Sequence, residues 1–321
     1  MKIAVLGAGA FGTALAIALA RGGERIGLWA RNPDHADEIR RTEQNTRHLA
    51  GSMLPETVSV SAKIADFDAA GTFLLAMPMQ QLGGFLDAHC DVLAGKAAVA
   101  CAKGIDLSTG LGPTALIRRA CPSATPAMLT GPRFAADIAR GLPTALALAC
   151  EDEAKARALQ HELTAPMLRL YRTTDVRGAE LGGALKNVVA IAAGVVIGAG
   201  LGDSARAALM TRGFAEMTRL AVALGARPET LAGLSGFGDL VLTCTSPQSR
   251  NFRFGQALGS SQTPEAGVTV EGIATARAVA GVARAANVDM PVADMVVALV
   301  DRRLTVDEAV SALLARPLKE E

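Results

Sequence analysis

The chain has 321 residues, of which half are hydrophobic and a fifth are charged. This composition excludes a disordered protein, and the length predicts about two globular domains. The net charge is +1, and the aromatic residues are nine Phe, one Tyr and one Trp. A nucleic-acid-binding protein needs a basic surface or aromatic stacking platforms, so nucleic acid is excluded as the main partner.

The cysteines and histidines give no pattern typical of a metal site. Three of the five cysteines lie in apolar runs that resemble strands, and none forms a CxxC pair: Cys90, Cys101, Cys121, Cys150 and Cys244. They predict buried free thiols in a reducing compartment, without disulfides or zinc. Four histidines lack metal-ligand spacing and are expected to be solvated: His35, His48, His89 and His161.

Two apolar stretches could suggest a membrane or a secretory signal. Residues 1–20 carry one early positive charge and an apolar run, which resemble a short signal peptide. However, Gly7, Gly9 and Gly12 interrupt that run, and their spacing is explained by the strand-to-helix turn described below. The stretch 188–201 has 14 residues, fewer than the ~20 that a membrane span needs. We therefore predict a cytoplasmic protein without a membrane span.

The first part of the chain alternates between strand-like and helix-like segments. The predicted strands are 3–6, 25–29, 58–61, 72–77, 97–102, 127–130, 144–149 and 168–172. Predicted helices separate most of them, at 11–21, 33–41, 78–89, 111–120 and 152–163. Such alternation predicts an open, mainly parallel α/β sheet of the Rossmann type over residues 1–178.

Strand signals are absent from residues 179–321. Helical patterns cover 179–200, 204–224, 228–234, 250–258, 271–287, 291–301 and 306–315, with predicted breaks at Gly225, 236–238 and 260–267. The second domain is therefore predicted to be all-α.

A dinucleotide site is predicted at the first strand-to-helix turn, Gly7-Ala8-Gly9-Ala10-Phe11-Gly12. Glycines there permit a tight turn and a close backbone approach to a pyrophosphate, and the following helix directs N–H groups at it. NAD sites usually place a carboxylate at the end of the second strand, whereas this chain has Arg31. A guanidinium suits a 2′-phosphate, so NADP is favoured over NAD unless Arg31 is simply solvated.

Two lysines are unusual in a chain with 7 Lys and 25 Arg. Lys186 lies in the apolar run Leu181–Val189, where an ammonium must be paired or give up its proton, unless it extends to the surface. A lysine, unlike an arginine, can transfer a proton. Lys103 follows the fifth strand at the edge where open sheets bind ligands, although it is alternatively a surface turn residue.

A polar segment interrupts the helical domain. Asp239 follows a glycine-rich turn at 236–238, and residues 243–251 supply hydroxyls, a guanidinium and an amide close to a helix start. These groups suit a phosphate ester, or alternatively form an exposed capped loop.

With these residues in place, the chain resembles the bacterial NAD(P)-dependent glycerol-3-phosphate dehydrogenases over essentially its full length. The resemblance rests on GAGAFGTALA (7–16), AKG (102–104), GPRFA (131–135), GLPTA (141–145), LGGALKN (181–187), TRGFAEM (211–217), GFGDLVLTCTSPQSRN (236–251) and VEG (270–272). It implies a 6-phosphogluconate-dehydrogenase-like helical domain and a homodimer. The implied reaction is NAD(P)H-dependent reduction of dihydroxyacetone phosphate to sn-glycerol 3-phosphate for glycerophospholipid synthesis.

The resemblance also implies roles for individual residues. Lys186 would be the proton donor and acceptor. The other substrate contacts would be Lys103, Gly131, Arg133, Asn187, Asp239, Ser249, Arg250 and Asn251. The cofactor contacts would be Gly7, Gly9, Ala10, Phe11, Gly12, Arg31, Lys103, Ala135, Arg250, Val270 and Glu271, and no metal is implied.

Two residues depart from the family pattern. Phe11 stands where the family commonly has Trp, and Arg133 replaces a small hydroxyl residue. Either Arg133 adds a phosphate contact, or Gly131 and the backbone serve the substrate instead.

Two other functions remain open at this point. A β-hydroxyacid or ketopantoate-type reductase would share the fold and the lysine but act on a carboxylate substrate, which a substrate panel would distinguish. A catalytically silent NADP(H) sensor would need a partner surface, and the sequence shows none.

Overall fold

Eight strands form a single sheet in the first unit of the chain. The computed structural model describes residues 1–265 and 267–314 and divides the chain into units Met1–Glu180 and Leu181–Glu321. The strands are β1 (Ile3–Leu6), β2 (Ile26–Trp29), β3 (Val58–Ser61), β4 (Thr72–Leu75), β5 (Ala97–Ala100), β6 (Thr125–Thr130), β7 (Thr144–Ala149) and β8 (Leu168–Thr173). All eight were predicted, with ends that differ by at most two residues.

The strand order is β3-β2-β1-β4-β5-β6-β7-β8. Neighbours from β3 to β6 are parallel, β7 is antiparallel to β6, and β8 is parallel to β7. The chain order reverses between β1 and β4, and open α/β sheets bind ligands outside the carboxyl ends of their strands at such a point.

Both faces of the central strands β1, β2 and β4 are buried. Along β1, Ile3 and Val5 belong to one apolar cluster, whereas Ala4 and Leu6 belong to another. Successive side chains of a strand point to opposite faces, so continuous apolar strands are what a sheet covered on both faces requires.

Helices connect most of these strands. They are α1 (Ala10–Arg21), α2 (Pro33–Thr42), α3 (Thr46–Leu49), α4 (Met79–Leu93), α5 (Pro113–Ala120), α6 (Ala135–Arg140) and α7 (Glu153–Leu163), with a 3₁₀ turn at Ile64–Phe67. The short helices α3 and α6 were not predicted, because four to six residues give too few turns for a periodic pattern.

Every regular element among the described residues of the second unit is a helix, which confirms the predicted fold class. Its helices are α8 (Val176–Gly198, whose first residues belong to the first unit), α9 (Gly202–Ala223), α10 (Pro228–Ala232), α11 (Asp239–Thr245), α12 (Arg250–Gly259), α13 (Glu271–Ala285), α14 (Pro291–Val300) and α15 (Val306–Leu314). The last residue of the predicted helix 306–315 lies outside the described residues.

One predicted break was wrong. Residues Leu234–Gly238 form a π-helical turn that leads directly into α11. A Cβ at Gly236 would collide with the carbonyl oxygen of Leu231, so close backbone packing explains this glycine. Single π turns of this kind occur frequently at functional sites.

Helix α8 is longer than its apolar run indicated. By length and composition it could cross a membrane, but 78% of its most apolar 18-residue stretch is buried within the protein. A core helix passes the same test, so this helix is weak support for a membrane span.

Helices α8 and α12 meet backbone to backbone. A Cβ at Gly194 would collide with the carbonyl oxygen of Phe252, and one at Gly255 with that of Ile191. Four glycines, two on each helix, form this crossing: Gly194, Gly198, Gly255 and Gly259. Only residues without side chains allow two helices to approach this closely.

A buried carboxyl joins α9 to α14. Both oxygens of Glu216 lie 3.0 Å from the backbone nitrogen of Val292, near the start of α14. The side chain is almost fully buried, and burial raises the pKa of Glu216 from its ordinary 4.5 to about 7.

Candidate active site

The glycine-rich turn after β1 is shaped for close contact with a ligand. Gly7 has φ +125°, and a Cβ there would lie 2.5 Å from the carbonyl oxygen of Ala76. Helix α1 begins at Ala10 with Gly9 as its N-cap, without a side-chain cap and without an acidic residue in its first turn. Its N–H groups and positive dipole end are therefore available to an anion, and this cradle fits a dinucleotide pyrophosphate.

Two predicted cations follow strands β2 and β5 of the same parallel part of the sheet. Arg31 lies just beyond β2, is exposed, and has no hydrogen bond or ion pair with any described residue. Lys103 lies beyond β5 and is 7% exposed, and its Nζ donates to the carbonyl oxygen of Gly131 at 3.2 Å. The carboxyl ends of parallel strands share one edge, so both cations lie on the side of the glycine-rich turn.

The two residues that depart from the family pattern contact each other. The Arg133 guanidinium carbon lies 4.0 Å from the centre of the Phe11 ring, a cation–π contact. Arg133 also donates to the carbonyl oxygens of Cys101 at 2.8 Å and Leu129 at 3.4 Å. Nearby, Ala135 begins α6. Arg133 thus joins the glycine-rich turn to the ends of β5 and β6.

The side-chain hydroxyl of Thr130, the last residue of β6, has no hydrogen-bond partner in the described part of the chain. Its Oγ1 is buried and forms no hydrogen bond with any described residue. An unpaired buried hydroxyl destabilises a fold, so this position is open to a direct test.

A buried ionic cluster on α8 and α11 has the geometry of a proton-transfer site. Lys186 Nζ lies 3.1 Å from Asp239 Oδ1 and donates to Thr243 Oγ1 at 2.6 Å. The Thr243 hydroxyl donates in turn to the Asp239 carbonyl oxygen at 2.6 Å. The Lys186 side chain is 8% exposed and that of Asp239 1%. The ammonium is therefore paired, which was one of the two states expected from the sequence.

Thr243 was not singled out from the sequence. Asp239 and Thr243 are four residues apart, a spacing that places both side chains on one face of a helix. The sequence predicted no helix between 234 and 250, so the helical spacing of this pair was overlooked.

Two buried asparagines are bonded to each other, and one of them, Asn187, directly follows Lys186 in the chain. Asn251 Nδ2 donates to Asn187 Oδ1 at 2.9 Å, and Asn251 Oδ1 accepts from the backbone N–H of Gly272 at 3.0 Å. Both asparagines are almost fully buried. These bonds join α8, α12 and the start of α13. They hold the side chain of Asn187, the residue that follows Lys186 on α8.

The remaining predicted residues of the second unit surround the first turns of α12 and α13. Ser249 is the N-cap of α12, and its Oγ accepts from the backbone N–H of Phe252 at 3.2 Å. Arg250 is exposed, has no ion pair with a described residue, and lines a cavity of about 520 Å³ together with Val270. Glu271 begins α13.

The thiols of Cys101 and Cys244 are not suited to act as nucleophiles. All five cysteines are free, four of them buried as predicted and Cys90 half-buried. Burial raises the pKa of Cys101 and of Cys244 to about 12, so both thiols stay protonated near neutral pH.

The expectation of solvated histidines was wrong for His35, which is 8% exposed and hydrogen-bonded to Asn45. Within residues 1–265 and 267–314, no group of three or more His, Cys, Asp or Glu side chains is placed to hold a metal ion.

Comparison with known proteins agrees over both units. The family model for the N-terminus of NAD-dependent glycerol-3-phosphate dehydrogenase matches residues 2–156, and the model for its C-terminus matches residues 175–311.

Similar proteins cover the whole chain. A glycerol-3-phosphate dehydrogenase [NAD(P)+] of Ruegeria sp. is 61% identical over 321 residues, which is 100% of both chains, and one of Cereibacter sphaeroides is 63% identical over 99% of this chain and 100% of its own. The crystal structure of glycerol-3-phosphate dehydrogenase from Coxiella burnetii matches with a TM-score of 0.92 and 35% identity, covering 98% of this chain and 99% of that one. The chain therefore belongs to the NAD-dependent glycerol-3-phosphate dehydrogenase family.

Proposed function

We propose that this chain catalyses the reversible, NAD(P)H-dependent reduction of dihydroxyacetone phosphate to sn-glycerol 3-phosphate. The observation that carries the proposal is the buried contact among Lys186, Thr243 and Asp239, in a chain of this family. Residues 1–178 would bind the dinucleotide, and residues 179–321 would bind the substrate and supply the proton.

The first unit would hold the cofactor through the turn that precedes α1. The N–H groups of Gly9, Ala10, Phe11 and Gly12 would receive the pyrophosphate, because neither a side-chain cap nor an acidic residue competes for them. When bound, the reduced nicotinamide supplies the hydride. Ala135, Val270 and Glu271 would be further cofactor contacts, as the family resemblance implies.

Lys186 would give a proton to the ketone oxygen as negative charge develops there. Its ammonium is well suited to this step, because it combines a positive charge with a transferable proton. Asp239 pairs with the ammonium in a buried place, and Thr243 fixes the direction of one N–H. The remaining Nζ hydrogens can face the substrate.

The substrate phosphate would be bound by Arg250, whose guanidinium is exposed and not already paired with a described carboxylate. Arg250 is the first residue of α12, so the positive end of the helix dipole adds to its charge. Lys103, Gly131, Arg133, Asn187, Ser249 and Asn251 complete the proposed substrate contacts.

NADP would be preferred over NAD, because Arg31 provides an exposed, unpaired guanidinium where a carboxylate would hold a ribose 2′-OH. A cytoplasmic location, a homodimer and a role in glycerophospholipid synthesis complete the proposal. Size-exclusion chromatography with light scattering would test the homodimer.

The decisive experiment compares ketone substrates. NADPH oxidation should be fast with dihydroxyacetone phosphate and much slower with unphosphorylated dihydroxyacetone, with ketopantoate and with 2-keto acids. NADH should replace NADPH less efficiently. Faster turnover of a carboxylate ketone would instead favour the ketopantoate-type reductase, whereas tight NADPH binding without turnover of any ketone would favour a sensor.

A further inference from the structure

A buried asparagine outside the proposed site contacts the glycine-rich turn between β1 and α1. Asn45 lies between α2 and α3 and is 0% exposed, which is rare for an asparagine. Its Nδ2 donates to the carbonyl oxygen of Ala8 and to Thr13 Oγ1, both at 2.8 Å. Its Oδ1 lies 2.9 Å from His35 Nε2. All hydrogens of the amide are therefore used.

Only one orientation of this amide satisfies all three contacts. The carbonyl oxygen of Ala8 can only accept a hydrogen bond, so a flipped amide would place two acceptors against each other. With Nδ2 facing Ala8, Oδ1 faces His35, whose Nε2 must carry the proton. The backbone N–H of His35 is held in turn by Asn32 Oδ1 at 2.9 Å. His35 of α2 therefore holds the Asn45 amide in this orientation.

Fixing the Ala8 carbonyl also fixes the N–H of Gly9. The peptide group between these residues is planar and trans, so its C=O and its N–H point in opposite directions. Asn45 holds the C=O, and the Gly9 N–H therefore points away from Asn45, without a hydrogen-bond partner among the described residues. An anion is attracted by an N–H and repelled by a carbonyl oxygen.

We propose that Asn45 is a positioning residue for the dinucleotide, which turns the Ala8 carbonyl away from the pyrophosphate and directs the Gly9 N–H toward it. Thr13 supports the same amide from the first turns of α1, and His35 holds it from α2. This role rests on the dinucleotide binding proposed above. A purely structural role for Asn45 would lower stability and leave cofactor affinity unchanged.

Three variants separate these roles. Asn45→Ala removes both N–H donors of the amide, one bonded to the Ala8 carbonyl oxygen and the other to Thr13 Oγ1 on α1. Thr13→Val removes one acceptor with little change in shape. The matched control is Thr72→Val, because Thr72 is an equally buried threonine whose hydroxyl bonds Glu162, away from the turn.

The dissociation constant for NADPH is measured directly from its fluorescence, together with the melting temperature and steady-state kinetics. Asn45→Ala should weaken NADPH binding about 10- to 100-fold, and Thr13→Val about 2- to 10-fold, as the loss of two and of one hydrogen bond predicts. Thr72→Val should bind NADPH normally. At saturating NADPH, kcat and the KM for the ketone should change less than about threefold in all three variants.

Normal NADPH affinity in both Asn45→Ala and Thr13→Val would refute the positioning role. If Asn45→Ala does not fold, Thr13→Val decides by itself. A wild-type protein that bound neither NADPH nor NADH would instead refute the proposed function, and the positioning role with it.

Discussion

Replacement of Lys186 tests the proposed proton donor, and the structure predicts two separate effects. Lys186→Met keeps the aliphatic stem but leaves the 1% exposed Asp239 without its ammonium partner at 3.1 Å. Breaking a buried ion pair in this way costs about 3–5 kcal/mol of unfolding free energy. The double variant Lys186→Met/Asp239→Asn removes the orphaned charge as well, so it should recover most of that stability.

The effect on rate should be the same in the single and the double variant. Loss of a general acid typically lowers the rate about 10²–10⁴-fold, and loss of electrostatic stabilisation about 10²–10³-fold. One ammonium supplies both effects, so the factors are not multiplied. We expect kcat to fall at least about 10³-fold. Lys186→Arg should fail nearly as badly, because a guanidinium hardly releases a proton.

The assay follows NADPH oxidation with saturating dihydroxyacetone phosphate, alongside NADPH titration and thermal melting. Lys155→Met is the matched control, because Lys155 is an exposed lysine whose ammonium bonds only Thr125 among the described residues. This control should retain wild-type kcat. Near-wild-type kcat in Lys186→Arg, with unchanged NADPH affinity, would falsify the proton-donor assignment.

Three further substitutions have defined outcomes. Arg31→Asp should lower the NADPH/NADH ratio of kcat/KM about 10- to 150-fold, through loss of a charge-assisted contact, and an unchanged ratio removes Arg31 from the site. Glu216 binds its proton more tightly in the folded protein, so its contribution to stability is complete below about pH 4.5 and decreases, by at most about 3 kcal/mol, as the pH rises through about 7. Glu216→Gln should abolish that decrease in urea unfolding at pH 5 and pH 8, and an identical pH dependence in both proteins would contradict this. Thr130→Val should raise the unfolding free energy by about 1 kcal/mol with unchanged KM values, and a raised KM would show instead that the hydroxyl binds a ligand.

The fold could be predicted because its signals are local. Continuous apolar strands between amphipathic helices specify a covered parallel sheet, and Gly7, Gly9 and Gly12 place the turn at its switch point. The pairing of Lys186 was foreseen because a buried ammonium needs a partner.

The contacts that were missed join residues far apart in sequence. The bond from Asn45 to Ala8 spans 37 positions, and the bond from Lys186 to Thr243 spans 57. Periodicity detects only neighbours along one element, so neither contact has a signal in the sequence. The glycines at 236–238 were taken to end a helix, whereas Gly236 serves close packing.

The glycine crossing of α8 and α12 limits how this enzyme can change during evolution. Helices that are separated by side chains shift when a core residue is enlarged or trimmed, whereas helices in main-chain contact have no such freedom. Lys186 lies about two turns before Gly194 on α8, and Asn251 about one turn before Gly255 on α12. Neutral drift in the surrounding core should therefore leave the spacing of these two side chains unchanged. Acceptance of a longer ketone must then arise from changes outside this helix pair.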